Sequence, residues 1–238
     1  MIRCLGRDKL PDISVHLASG LMTIQAARYG FHRNTAGMPE VPGGDAEQLT
    51  FIQNNCDFWS CPDVQDDWTG NTQLASRADS WENYLSAFRI NFPSLLRDLD
   101  IRTLVFVLEI QRPWIEHESF FPPVEAAMDR IASLMPDSHF NGIIRVDFEN
   151  LRIFLPELLW MIRGLSGLPT CYFSGLREPF VGQFAPYGGV QLDFYNRAFE
   201  NSFVRLASSY DFEELAINEL PGHTQGDSFI EGRQLTTE

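Results

Sequence analysis

The sequence predicts an α/β protein folded as a single domain around a mostly parallel central sheet covered by helices. That expectation rests first on the stretch from Arg102 to Gly175. It reads as strand (Leu104 to Ile110, LVFVLEI), helix (Val124 to Met135), strand (Gly142 to Phe148, GIIRVDF), helix (Pro156 to Leu165) and strand (Thr170 to Gly175, TCYFSG). Short apolar runs alternating with helical periodicities are the signature of βαβ units, whose strands run parallel with helices on their faces. It rests second on the absence of any internal boundary. The chain has 238 residues and 44% hydrophobic content, enough for a sizeable core, with no Pro/Gly/Ser-rich linker, fixed-period repeat or low-complexity run to divide it. Within that domain, residues 1–76 read as a helical and loop layer with a long acidic loop packed on the sheet. Residues 77–210 read as the βα core, and residues 220–238 as an irregular tail.

Along the chain, Ile13, Leu17, Leu21 and Ile24 form one helical stripe over residues 13–28, with Asp12 as N-cap and Gly30 as C-terminal stop. Gly20 costs that helix about 1 kcal/mol, and ISVHLAS also alternates as a strand does. NTAGMPEVPGGDAE is a loop, after which Asp45 caps a short helix through Asn55. From Asp79 to Leu99, Trp81, Tyr84, Leu85, Phe88, Phe92, Leu95, Leu96 and Leu99 lie on one helical face. Asp79 with Glu82 resembles a capping box, and Pro93 should break or kink the helix near Asn91. Pro122 and Pro123 suit the first turn of the helix that Pro136 ends, and Pro156 the first turn of the next. SGLREPFVGQFAPYGG reads as a long loop and GVQLDFYN as a fourth strand. Asn196 then caps a helix through Ser208.

Charge is the most informative bulk property. The net charge is −14, and the stretch from Asn34 to Ser76 holds seven acids (Glu40, Asp45, Glu47, Asp57, Asp63, Asp66, Asp67) and no base. A field of that sign repels nucleic acid and anionic membranes and speeds encounter with basic partners. Its plainer reading is solubility. Asp8, Lys9 and Asp12 deny the N-terminus the apolar core of a signal peptide, and no apolar run is long enough to cross a bilayer, so a soluble cytoplasmic protein is expected. Cys4, Cys56, Cys61 and Cys171 are too few and scattered for a disulfide scaffold and read as reduced thiols. The spacing of Cys56 and Cys61 suits neither a redox pair nor a zinc knuckle, so no metal or cofactor is expected. The sequence carries no signal for oligomeric state.

Two candidate sites follow. The segment CDFWSCPDVQDDWTGNT sets aromatics among acids, so Asp57, Trp59, Asp63, Asp66, Asp67 and Trp68 are the candidate partner-binding residues, tryptophan being favoured at interface anchors. The same aromatics could instead plug the core beneath a loop. The other candidate is catalytic. Glu109, Asp147, Glu149 and Asp193 fall near the ends of expected strands, where a parallel sheet would bring them to one edge, with His117 as a proton carrier. Those acids could equally cap helices or pair with arginines. No Walker loop, G-x-G-x-x-G or G-x-S-x-G motif is present. The expectation for function is an acidic protein-binding module, of the inhibitor or immunity type, that neutralises a basic enzyme or toxin. The alternative is a metal-assisted hydrolase using the strand-end carboxylates.

Overall fold

The apolar stripe over residues 79–99 does form a helix, and it covers a sheet. The computed structural model describes residues 1–34, 37–60, 68–76, 78–116, 118–186 and 188–215. In chain order these form β1 (Ile2–Leu5), α1 (Leu10–Ile13), α2 (Val15–Tyr29), β2 (His32–Arg33), β3 (Pro39–Glu40), α3 (Ala46–Asn55), β4 (Gly70–Ala75) and α4 (Trp81–Asp98). There follow β5 (Thr103–Leu108), α5 (Pro122–Ala132), β6 (Ile143–Asp147), α6 (Phe148–Gly164), β7 (Cys171–Ser174), β8 (Phe180–Phe184), β9 (Gly189–Phe194), α7 (Arg197–Ala207) and β10 (Glu213–Leu215). Eight strands make one sheet in the order β1-β6-β5-β7-β8-β9-β4-β10, while β2 and β3 pair separately. Every neighbouring pair in the large sheet is antiparallel. The expectation of a mostly parallel sheet is therefore corrected.

The three central strands are neighbours, as the apolar runs required. Both flanking strands nevertheless run against β5, with Leu104 opposite Val146 and Val107 opposite Tyr172. β6 and β7 share a direction and are joined by α6, but β5 lies between them. The direction of β6 is set where the chain leaves β5. Trp114 is fully buried, its backbone N–H donates to the Phe140 carbonyl at 3.0 Å and its indole N–H to the Gly142 carbonyl at 3.0 Å. Those bonds hold the exit from β5 against the entry to β6 at one end of the sheet, and α5 is an excursion between them. A parallel neighbour must be entered from the opposite end. Strand–helix alternation does not encode which end a connection returns to, so it is equally compatible with this antiparallel return.

Burial on both faces of β5, which its apolar run did indicate, has a different source from crossover helices alone. Leu104, Phe106 and Leu108 join the core formed with α4, α5, α6 and α7. On the opposite face Val105 and Val107 meet Leu10, Leu17, Ala18 and Leu21 of α1 and α2, together with Tyr172 and Val181. The N-terminal helices thus supply the second layer, and β1 and β4 bring further parts of the first 76 residues into the sheet itself.

Local chemistry accounts for most helix ends. The Asp45 carboxylate caps α3 by accepting from the backbone N–H groups of Glu47 and Gln48, each at 3.0 Å. Asn196 caps α7 through Phe199 N–H at 2.9 Å, and Gly30 closes α2 in the left-handed region at φ 65°. Ser14 rather than Asp12 occupies the cap position of α2, and Ser80 rather than Asp79 caps α4. Pro93 does not end α4, and Pro156 does not begin α6, which already starts at Phe148. Each proline leaves one helical carbonyl without its usual donor. The helices continue because the residues around both prolines, Phe92, Leu95 and Leu96 in α4 and Leu155, Leu158 and Leu159 in α6, are anchored in the core.

Gly20 shows why α2 accepts a residue of poor helix propensity. A Cβ there would lie 2.8 Å from Val181 Cγ2 and 3.2 Å from the Tyr195 hydroxyl, so the glycine lets α2 lie directly on β8. Val181 is buried and β-branched and cannot swing aside. Gly20→Ala is therefore expected to lower the urea unfolding midpoint, although alanine by itself favours a helix by about 1 kcal/mol. A raised midpoint would mean that α2 does not approach β8 this closely.

Candidate functional site

Past Leu108, β5 delivers Glu109 to the end of the sheet that α2 and the segment after α3 also reach. Charged groups brought there must find partners, because an unpaired buried charge is strongly unfavourable. The Arg7 guanidinium grips Asp57 with two prongs, Nε to Oδ1 at 2.8 Å and Nη2 to Oδ2 at 2.7 Å, and Nη2 also donates to the Leu108 carbonyl at 2.7 Å. Gln25 Nε2 donates to Asp57 Oδ2 at 2.9 Å and to the Glu109 carbonyl at 2.5 Å, while Gln25 Oε1 accepts from the Asp57 backbone N–H at 2.9 Å. Gln111 Nε2 adds bonds to the Cys56 carbonyl at 2.9 Å and to Asp57 Oδ1 at 3.2 Å. The Glu109 carboxylate accepts from Tyr29 Oη at 2.9 Å and pairs with Arg28. Arg7, Gln25, Asp57 and Glu109 are all buried, yet both Asp57 oxygens are fully engaged. The cluster is a brace between segments, with no carboxylate oxygen of Asp57 left to offer a ligand.

The candidate catalytic carboxylates do not converge. Asp147 pairs across the sheet with Thr103 at the start of β5, whereas Glu109 lies beyond its end, a separation of about 20 Å at the usual rise of a strand. Asp193 lies on β9, four strands from β6 in the sheet order, again about 20 Å away. Asp147 accepts from Thr103 Oγ1 at 3.1 Å, and Glu149 is exposed in the first turn of α6. His117 lies outside the described residues. Among the described residues no group of three or more His, Cys, Asp or Glu could hold a metal ion. An antiparallel sheet sends alternate strand ends to opposite edges, so the arrangement a hydrolase of that type required is not formed.

The candidate partner-binding residues divide. Asp57 is only 2% exposed, inside the brace, and Trp59 packs against the core of α1 and α2, as a loop-covering aromatic does. Asp63, Asp66 and Asp67 lie outside the described residues. Trp68 is 61% exposed, and its indole N–H donates to Asp193 Oδ1 at 3.3 Å, an oxygen that also accepts from Asn71 Nδ2 at 2.8 Å. Trp68 and Asp193, read as parts of two separate sites, therefore belong to one.

They stand at the rim of a polar half-face of the sheet. Strand register places Asn71 opposite Asp193, Gln73 opposite Gln191, and Gln191 opposite Gln183, all on the face that α2 covers farther along. Gln183 Nε2 donates to Gln191 Oε1 at 2.6 Å. Sequence reasoning did not single out Asn71, Gln73, Gln183 or Gln191, because β4 and β8 were not read as strands. The signal was present in β9, where Val190, Leu192 and Phe194 alternate with Gln191 and Asp193 in the period-2 pattern of a half-covered strand. Compared with family models, with curated proteins and with solved structures, the chain matches none.

Burial beside the brace sets the chemistry of one thiol. Burial, and next the Asp57 and Glu109 carboxylates, push the Cys56 thiol up to about 12, against an opposing contribution from Arg7. A thiol whose pKa is higher folded than unfolded stabilises the fold fully below the ordinary value of 9.0 and loses that contribution as pH climbs toward 12. Native Cys56 should therefore resist iodoacetamide at pH 8 and react only once the chain is unfolded, as read by mass spectrometry of peptides labelled with and without urea. Rapid native alkylation would show that the thiol is not buried beside those carboxylates.

Proposed function

We propose that the chain is an acidic protein-binding module, of the inhibitor or immunity type, that covers a basic enzyme or toxin. The observation that carries this reading is Trp68, a large indole left 61% exposed but fixed in direction by its bond to Asp193. Exposed aromatics held in place lose little entropy on binding and are favoured as interface anchors. The setting supports it: the net charge is −14, the residues just before Trp68 include Asp63, Asp66 and Asp67, and Glu40, Asp45 and Glu47 are exposed nearer the start of the same acidic stretch. Such a field steers cationic proteins and repels nucleic acid. A cytoplasmic location belongs to the proposal too. It is supported by Cys4, Cys56 and Cys171 standing as free thiols, and among the described residues no helix is long and apolar enough to cross a membrane.

Steering and anchoring separate kinetically. With a partner captured from the native cell and measured by surface plasmon resonance, association should slow steeply as salt rises, because exposed charges are screened over about 8 Å at physiological ionic strength. Neutralising Asp63, Asp66 and Asp67 together should lower the association rate and leave stability unchanged. Trp68→Ala should chiefly speed dissociation, by about 2 kcal/mol. Affinity equal at low and high salt, or untouched by Trp68→Ala, would refute the reading.

A further inference from the structure

We propose that Trp68 and Asp193 form a clamp for an arginine side chain carried on an extended segment of the basic partner, an inference that rests on the protein-binding reading above and specifies its chemistry. Asp193 Oδ1 accepts from both the Trp68 indole and the Asn71 amide, so the carboxylate is oriented before anything binds. Among the described residues it has no cationic partner. An oriented carboxylate beside an exposed indole suits a guanidinium better than an ammonium. Its planar edge donates to the carboxylate while its face stacks on the ring, and a lysine cannot satisfy both at once.

A second, independent feature lies farther along the same face. Gln73 is only 4% exposed, and among the described residues its Oε1 is buried without a hydrogen bond. An acceptor left unmet in this way is unfavourable, and a donor that reaches it is correspondingly favoured. Gln73 follows Asn71 at the next same-face position of β4, about 7 Å on, which is the spacing of alternate residues in an extended chain. Its cross-strand neighbour Gln191 and the adjoining Gln183 are half-buried and joined by their own hydrogen bond at 2.6 Å, so the row reaches the surface beside the buried Gln73. A segment laid from Trp68 toward Gln183 thus meets an anion, an aromatic face and an unmet acceptor in line.

The probes are an acetylated and amidated peptide of alternating glycine and arginine, and its lysine and citrulline counterparts. They are titrated into the ¹⁵N-labelled protein while the indole N–H signal of Trp68, assigned with Trp68→Phe, is followed. The arginine peptide should move that signal and bind about tenfold more tightly than the uncharged citrulline peptide, and more tightly than the lysine peptide. Asp193→Asn keeps an acceptor for Trp68 and Asn71 and should preserve the fold, yet lose about tenfold in affinity for the arginine peptide. Gln73→Met, which removes the unmet acceptor, should weaken binding with the thermal midpoint unchanged or raised. Equal binding of the arginine and lysine peptides, or affinity unaffected by Asp193→Asn, would overturn the clamp. In that event, loss of a captured partner on neutralising Asp63, Asp66 and Asp67 would leave the broader protein-binding reading standing, and its indifference to those changes would remove both.

Discussion

The bidentate pair of Arg7 and Asp57 decides where the N-terminal third of the molecule sits. It joins the turn after β1 to the segment after α3, and through Gln25 and the Leu108 and Glu109 carbonyls it fastens both to α2 and to the end of β5. A buried ion pair offsets its desolvation only when the geometry is good and the remaining lone pairs are met. Here both Asp57 oxygens are met twice, by Arg7 with Gln111 and by Arg7 with Gln25. The consequence reaches the surface. With α2 fixed over β5, β7 and β8 through Leu17, Leu21 and the close approach at Gly20, that side of β9 and β4 keeps the polar side chains of Asn71, Gln73, Gln191 and Asp193, and Trp68 stands at its margin.

How much of this was legible follows from what each residue pattern encodes. The helices were legible because their period and caps are local: Asp45, Asn196 and Gly30 act on their own turns, and the stripe from Trp81 to Leu96 is buried as read. Burial of β5 on both faces was legible in its unbroken apolar run. Strand direction was not, because it depends on the contact of Trp114 with Phe140 and Gly142, residues far apart in sequence that no periodicity links. That Pro93 does not end α4 and Pro156 does not begin α6 has a related reason: tertiary anchoring outweighs the local cost of a missing N–H.

The site was partly legible, and the same distinction applies. Trp68 and Asp193 were both singled out, Trp68 for its acidic surroundings and Asp193 for its place near a strand end, but their pairing depends on β4 lying against β9. In the sequence Asp57 reads as a partner-binding charge because composition counts a carboxylate without saying what faces it, and Arg7, its partner, is distant in sequence. Glu109 was drawn to the same end of the sheet, where Tyr29 and Arg28 occupy its oxygens. Acids that composition groups together therefore divide by structure: Asp57 braces the core, whereas Glu40, Asp45 and Glu47 are exposed.

That division is tested most directly by a double-mutant cycle on Arg7 and Asp57, with Arg7→Ala, Asp57→Ala and the double variant unfolded in urea. Each single change strands a buried charge and should cost about 3–5 kcal/mol, whereas the double change should cost little more than either alone. Single losses below about 1 kcal/mol that simply add would place Asp57 on the surface with Glu40, Asp45 and Glu47. The brace would then not be what positions α2 over the sheet.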